Sequence, residues 1–364
     1  MKKVISLLLV LMLSVSLLAG CAPKAPAETP VETPAETPAE TPAETPAETP
    51  SADGSIAKLG LGHVISIGNS TDMSTDGNGN VKKALAEADM TMAAVGFDAD
   101  GRVVSAYIDI VEGKVAFDEN MAVTTDRDAE VKSKKDLGDA YGMIKASAIG
   151  KEWYEQIAAF EEWVVGKTID EIKGMKVEDG HTAEEDLVSS VTISVGDFIA
   201  VVDQAWNDAI EVEGGKTVGL GITTKVTDSV DATEEKPAKA QIDTVMSAVA
   251  MDGEGKVAGA VIDMSQVSVN YDEEGKVTSD KTAEIKTKNE LKEAYGMVKA
   301  SAIGKEWYEQ ARALADWMVG KSVSEITGMK LEEGQTAEED LVSSVTVTVG
   351  NYLIVVEEAA STAK

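Results

Sequence analysis

Apolar residues early in the chain follow the two-residue period of β-strands. The runs Met90 to Phe97 and Val103 to Ile110 flank the turn sequence Asp98-Ala99-Asp100-Gly101. This pattern predicts a β-hairpin, because the glycine can take the positive φ that the turn requires. The same signals predict a second hairpin, from Val245 to Met251 and from Val257 to Met264. They also predict a short third strand after each hairpin, at Lys114 to Phe117 and at Val267 to Tyr271.

Downstream of each hairpin, the apolar period changes to that of an amphipathic helix. Two stripes advance by three or four residues, Ile149, Trp153, Ile157, Phe160 and Val164 in one case and Ile303, Trp307, Ala311, Leu314 and Met318 in the other. Gly166 and Gly320 are predicted to end these helices. A last helix is predicted from Val195 to Trp206, and another from Val349 to Val356. Strands followed by helices within one unit indicate an α+β fold class, with an antiparallel hairpin or sheet and then helices.

This order of elements occurs twice because the chain contains a tandem repeat. Tyr141 to Gln156 recurs as Tyr295 to Gln310 with one difference in 16 positions, and Thr182 to Thr192 recurs unchanged as Thr336 to Thr346. Both matches have an offset of 154 residues. We therefore predict two copies of one small domain, at residues 57–211 and 212–364. Local gene conversion, or a motif that both copies need for structure, would also explain the unchanged segment.

The N-terminus has the features of an export signal. Lys2 and Lys3 precede an apolar run from Val4 to Leu18, which is too short to cross a bilayer comfortably. Leu18-Ala19-Gly20-Cys21 resembles a bacterial lipobox, which implies a signal peptide at 1–20 and a lipid on Cys21. The resemblance implies an anchored protein on the outer face of the bacterial cytoplasmic membrane, at the cell surface. An ordinary secretory signal followed by a chance cysteine is the alternative.

A spacer of low complexity follows the cysteine. Eight of the nine prolines lie between residues 22 and 50, and glutamate recurs there at every fourth position. Proline favours polyproline II and like charges keep the chain extended, so residues 21–56 are predicted to form a tether without a core.

Composition limits the possible partners and chemistry. With 64 acidic and 33 basic residues the formal net charge is −31, which excludes nucleic acid as a partner and opposes contact with anionic lipids. Membrane attachment therefore requires an apolar anchor. Cys21 is the only cysteine, so no disulfide within the chain is expected. His63 and His181 lack ligand-like spacing, and no metal site is predicted.

The order of motifs in each copy resembles the FMN-binding domain family, which includes membrane-anchored lipoproteins. The resemblance rests on the hairpin turn, on Val165-Gly166-Lys167 and Val319-Gly320-Lys321 after the helix, and on an Asp-x-x-Ser-x-x-Thr pattern before the last helix. It implies that a flavin transferase joins FMN covalently, through its phosphate, to Thr192 and Thr346. The other motif residues are Asp186, Ser189 and Ser190 in the first copy and Asp340, Ser343 and Ser344 in the second.

The sequence departs from the family at two positions of this motif. Ser190-Val191 and Ser344-Val345 stand where the family has Gly-Ala. Glycine permits backbone angles and close approach that serine does not, and valine adds bulk beside the acceptor threonine.

The leading interpretation is a membrane-anchored extracytoplasmic flavoprotein. It would carry electrons through one FMN per copy to a redox partner, rather than act as a substrate-specific enzyme. The threonine hydroxyl is predicted to lie on the first turn of the last helix, where free backbone N–H groups favour a phosphate. The alternative is a flavin-free surface lipoprotein that acts as a binding or structural module.

Overall fold

Residues 54–364 are described by the computed structural model, and they form a mixed α and β fold around a large antiparallel sheet. The predicted signal peptide, Cys21 and nearly all of the predicted tether lie outside the described residues. The strands are β1 (Ile56–Ser66), β2 (Ser74–Thr75), β3 (Val81–Lys82), β4 (Leu85–Phe97), β5 (Val103–Ala116), β6 (Val177–Glu178), β7 (His181–Thr182), β8 (Ile210–Lys225), β9 (Lys239–Asp252), β10 (Val257–Asn270), β11 (Leu331–Glu332) and β12 (Gln335–Thr336).

The α-helices are α1 (Lys134–Leu137), α2 (Trp153–Val164), α3 (Ile169–Lys173), α4 (Gly196–Asn207), α5 (Lys288–Leu291), α6 (Trp307–Met318), α7 (Val323–Thr327) and α8 (Gly350–Thr362). Short 3-10 turns follow α1 and α5, at Gly138–Tyr141, Met143–Lys145, Lys292–Tyr295 and Met297–Lys299. The described part of the chain has no helix that is both long and apolar enough to span a membrane.

Six long strands form one sheet in the order β10-β9-β8-β1-β4-β5, with every neighbouring pair antiparallel. The predicted hairpins are confirmed as β4–β5 and β9–β10. The halves of the sheet meet where the start of β1 pairs with the start of β8, for example Leu59 with Ile210. The predicted border between residues 211 and 212 therefore falls inside β8.

Strand residues are buried on both faces of the sheet, which explains the nearly continuous apolar runs. Along β4, Met90 and Met92 belong to a core that strands from both halves share. Val95 and Phe97 instead pack with α2 and α4 in a second core. A third core lies between β9, β10 and the helices α6 and α8.

Two glycines in β1 allow helix α4 to approach the strand closely. A Cβ at Gly60 or Gly62 would overlap with the carbonyl oxygen of Ala205 or Val201 in the helix. Gly219 and Gly221 in β8 have the same relation to α8. The Gly-Leu-Gly sequences therefore mark where a helix backbone rests on a strand.

Two predictions about the elements were wrong. No separate third strand exists at Lys114 to Phe117 or Val267 to Tyr271, because β5 and β10 run without a break for 14 residues each. Ile149 and Ile303 precede their helices, which begin at Trp153 and Trp307. The glutamate before each tryptophan caps the helix and fixes its start there.

Candidate functional site

In each half of the chain, the two segments that recur almost unchanged pack against each other. In the first half, Glu152 precedes α2, and its carboxylate accepts hydrogen bonds from the backbone amides of Met143 and Ile144 at 2.8 and 3.0 Å. This contact ties the preceding loop to the start of the helix. Glu306 binds the amides of Met297 and Val298 in the same way.

One turn into α2, the buried side chain of Gln156 connects this loop to the threonine motif. Its Nε2 donates to Ser147 Oγ at 3.1 Å and to the Lys151 carbonyl at 3.2 Å. Its Oε1 accepts from the backbone amide of Thr192 at 2.8 Å and from Thr192 Oγ1 at 3.2 Å. The glutamine amide is fully used, so it holds the threonine in one position.

Gln310 makes the corresponding contacts in the second half. It donates to Ser301 and to the Lys305 carbonyl, and it accepts from the amide and hydroxyl of Thr346 at 2.8 and 3.3 Å. The amide of Val347 adds a third bond to the same oxygen at 3.2 Å. Both glutamines are fully buried, whereas both threonines are half-buried.

The prediction that these threonines lie on the first helical turn was wrong. α4 begins at Gly196 and α8 at Gly350, four residues after Thr192 and Thr346. Each threonine lies in the loop before the helix, where its backbone N–H is already bonded to glutamine. The geometry therefore offers a held hydroxyl beside a loop, rather than the free amides of a helix N-terminus.

The serine positions lie in consecutive tight turns just before each threonine. Ser189 and Ser343 are exposed, and Ser190 and Ser344 are half-buried. In the second half, Lys305 Nζ donates to Ser344 Oγ at 3.3 Å. A cation therefore lies beside one of the hydroxyls predicted to contact phosphate.

Asp186 and Asp340 do not share the hydrogen bonds of the threonines. Each accepts from the indole N–H of a half-buried tryptophan, Asp186 from Trp163 at 3.2 Å and Asp340 from Trp317 at 3.1 Å. Lys167 lies 4.1 Å from the centre of the Trp163 ring, and Lys321 is placed identically over Trp317. These aspartates therefore hold a tryptophan side chain in place and do not contact the threonine of the motif.

The Ser-Val pair that replaces Gly-Ala has a structural explanation. Val191 and Val345 are each 1% exposed and belong to the helix-side cores, so they fasten the loop. Neither Ser190 nor Ser344 has a positive φ, so the backbone there does not require glycine.

Sequence reasoning missed Gln156 and Gln310 as site residues. Both end the 16-residue segment that differs at one position between the halves. That near-identity was the available signal, because the glutamine bonds to a threonine 36 residues further along.

Three carboxylates also approach one another in the first half. Oxygens of Glu87, Asp89 and Glu112 lie within 4.8 Å of one another. Lys114 Nζ lies 3.3 Å from Glu87 and 2.6 Å from Glu112. The lysine balances part of this charge, and the cluster carries no argument for a metal.

Comparison with known proteins gives one local similarity. The chain is 33% identical over 99 residues to a chlorophenol reductase from Desulfitobacterium hafniense, a match that covers 23% of this chain and 29% of that protein. The chain thus spans less than a third of the length of this relative. No family model matches the chain, and no solved structure matches it.

Proposed function

We propose that the protein is a membrane-anchored extracytoplasmic flavoprotein that carries electrons through FMN esterified to Thr192 and Thr346. The observation that carries the proposal is the position of the two hydroxyls. In both halves the threonine is half-buried and bonded to a buried glutamine, at the end of a loop that contains two serines. A held hydroxyl at the surface of a rigid frame is accessible to a transferase and keeps an attached group in place.

Esterification would change this hydrogen-bond arrangement in a defined way. The ester oxygen can no longer donate to the glutamine, but the backbone amide bonds at 2.8 Å would remain. The loop would therefore keep its anchor after modification. Phosphate oxygens would find donors in the adjacent serine hydroxyls and, in the second half, in Lys305. When bound, FMN supplies the redox chemistry, and the protein contributes orientation and electrostatics.

A redox role is also favoured by the name of the local relative, which is that of a reductase. We further propose that the chain consists of two tandem repeats of one domain, at about 57–211 and 212–364. The helices α1 to α4 and α5 to α8 follow the same order at a constant offset, which supports this origin. A flavin-free binding or structural module is the second candidate, favoured by the valine that replaces the small residue beside each threonine.

The experiment uses the full chain purified from the cell envelope of its native host, which supplies the export and flavin-transfer machinery. We expect flavin fluorescence to stay with the protein in a denaturing gel, and intact mass to show two FMN groups. Thr192→Ala and Thr346→Ala should each remove one group, and the double variant both. Thr348→Ala, at an exposed threonine close to the site, should remove none.

Unmodified mass in material from the native envelope would reject the flavin proposal in favour of the flavin-free module. The same preparations test the anchor, because Cys21→Ala should release the protein from the membrane. Loss of the anchor with retention of flavin, or the reverse, would separate the two parts of the proposal.

A further inference from the structure

A cavity of about 800 Å³ lies where the two halves meet and is bounded by β1, β10, α5 and α6. Its apolar wall includes Leu61, Ile210, Ala260 and Ile262. Its size lies in the range that accommodates small organic ligands. The cavity is distinct from the Thr346 loop, although Lys305 lies beside both.

A buried histidine in the wall of this cavity lacks a partner for one nitrogen. His63 is 8% exposed, and its Nε2 lies 3.0 Å from Glu290 Oε2. Because a carboxylate can only accept, Nε2 carries the hydrogen of this bond. Nδ1 is buried and has no hydrogen-bond partner in the described residues. A buried polar atom without a partner is unfavourable, so the ring of His63 is kept in the cavity wall at a cost in stability.

Three of the four carboxylates that line the cavity already have donors, Asp208 being the exception. Glu290 accepts from His63 and from the Thr287 amide, and Asp263 accepts from two backbone amides at 2.7 and 3.1 Å. Glu309 accepts from the backbone amide of Glu306, where α6 begins.

The cations of the cavity, by contrast, have donors to spare. The backbone N–H of Lys292 donates to the Lys288 carbonyl, but its ammonium group makes no hydrogen bond or ion pair within residues 54–364. Arg312 uses only its Nε, on Asp316. The cavity therefore presents unused positive donors beside an apolar wall.

Lys292 also has a backbone conformation that a lysine rarely adopts. Its φ is 47° and ψ −122°, whereas the equivalent residue of the first half is Gly138, with φ 48° and ψ −126°. Glycine takes these angles without strain. A lysine kept in a glycine conformation at the edge of a cavity indicates that its charge has a function there.

We propose that this cavity binds a small organic anion with an apolar body. Its carboxylate, sulfonate or phosphate group would contact Lys292 and Arg312, and its body would lie against Leu61 and Ile262. This site goes beyond the proposed flavin function and does not depend on it.

The test uses the full chain and anilinonaphthalene sulfonate, a fluorescent aromatic anion, in equilibrium titrations. We expect one saturable site in the wild type. The double variant Lys292→Gly with Arg312→Ala introduces the residues of the first half, Gly138 and Ala158, and should raise the Kd at least tenfold. Because the glycine removes backbone strain, this variant should unfold at the same or a higher denaturant concentration. Weaker binding therefore could not be attributed to misfolding.

Two controls complete the experiment. Lys236→Ala removes one exposed positive charge elsewhere and should leave the Kd unchanged. Asn289→Lys with Ala315→Glu should fill the cavity with the ion pair found in the first half and abolish saturable binding. The proposal is overturned if the wild type shows no saturable site, or if Lys292→Gly with Arg312→Ala binds the probe as tightly as the wild type.

Discussion

The two halves place a cavity at the same position of their frames but line it differently. In the first half, a cavity of about 350 Å³ lies beside Lys135, Glu161 and Lys364. The equivalent residues, each 154 positions away in the sequence from Lys135, Glu161 and Lys364, are Asn289, Ala315 and Ile210. They line the cavity of about 800 Å³.

Buried ions fill the interior of the first half where the second leaves space. Glu161 is 2% exposed and accepts from the Ile108 amide at 2.5 Å and from the ammonium groups of Lys135 and Lys364, each at 2.6 Å. Lys135 also lies 3.3 Å from the centre of the Tyr107 ring. The second half has only a methyl group at Ala315, which leaves the cavity wide.

The two halves agree in the contacts of the threonine loop and differ in the lining of the cavity. The contacts of Gln156 with Thr192 and of Gln310 with Thr346 agree to within 0.1 Å. The cavity residues, in contrast, differ in charge, size and hydrogen bonding. The loop contacts are therefore the same in both halves, whereas the lining of the cavity is not.

The largest effect is expected from removing the buried carboxylate of the first half. Glu161→Ala leaves Lys135 without its main partner, in a place where burial already lowers the pKa of Lys135 and Glu161 opposes that shift. Breaking a buried ion pair from one side costs about 3–5 kcal/mol. Urea unfolding should show this loss of stability.

The control for this prediction is the double variant Lys135→Asn with Glu161→Ala, which copies the residues of the second half. It removes both charges and should recover more than half of the lost stability. If Glu161→Ala lowers the free energy of unfolding by less than about 1 kcal/mol, as loss of an exposed ion pair would, the two linings are energetically equivalent.

A smaller effect is expected at the pair Gln204 and Glu358, which occupy equivalent places on α4 and α8. Each accepts from a strand amide, Gln204 from His63 at 2.7 Å and Glu358 from Ile222 at 3.0 Å. Burial first, and then nearby carboxylates, raise the pKa of Glu358 from 4.5 to about 7. The folded state therefore binds a proton more tightly than the unfolded state.

Stability from this proton is fully present below pH 4.5 and is lost as the pH rises through about 7. Glu358→Gln should flatten the decline between pH 5 and pH 8 and raise stability at pH 8 by about 1 kcal/mol. Asp109 and Asp263, whose pKa values burial raises to about 6, would retain part of the decline. Denaturant unfolding at both pH values measures the change. Glu357→Gln, at an exposed neighbour, should leave the profile unaltered.

Much of the fold follows from local signals in the sequence. The hairpin turns contain glycine where a positive φ is required, and the helical stripes have the spacing of one buried face. The joining of the two halves through β1 and β8 was not predictable in this way. It depends on pairing between residues about 150 positions apart, such as Leu59 with Ile210, which no local pattern encodes.

The candidate sites were predicted less well for a related reason. The sequence singled out Thr192 but placed it on a helix, because the apolar stripe of α4 does not show where its first turn begins. Asp186 appeared to belong to the threonine motif, yet it bonds to Trp163. The spacing of His63 and His181 gives no sign of a partner for His63, because Glu290, to which it bonds, lies 227 residues away in sequence.

The smallest effect on stability is expected from a substitution of His63. This substitution also tests most directly whether the histidine makes the two cavities different. Ile222 occupies the corresponding position in β8, so His63→Ile makes the two halves alike there. The variant removes an unpartnered Nδ1 but also removes the bond to Glu290, and these opposing effects should leave the free energy of unfolding within about 1 kcal/mol of the wild type.

The pKa of Glu290 should respond more clearly. Burial tends to raise it, but hydrogen bonds from His63 and Thr287 outweigh burial and lower it. Without His63, that pKa should rise, as NMR titration of the glutamate carboxyl carbons would show. His63→Gln, which retains an N–H donor, should keep part of the lowering. An unchanged pKa for Glu290 in His63→Ile would mean that the histidine does not act on the carboxylate, and the two cavities would then differ in size alone.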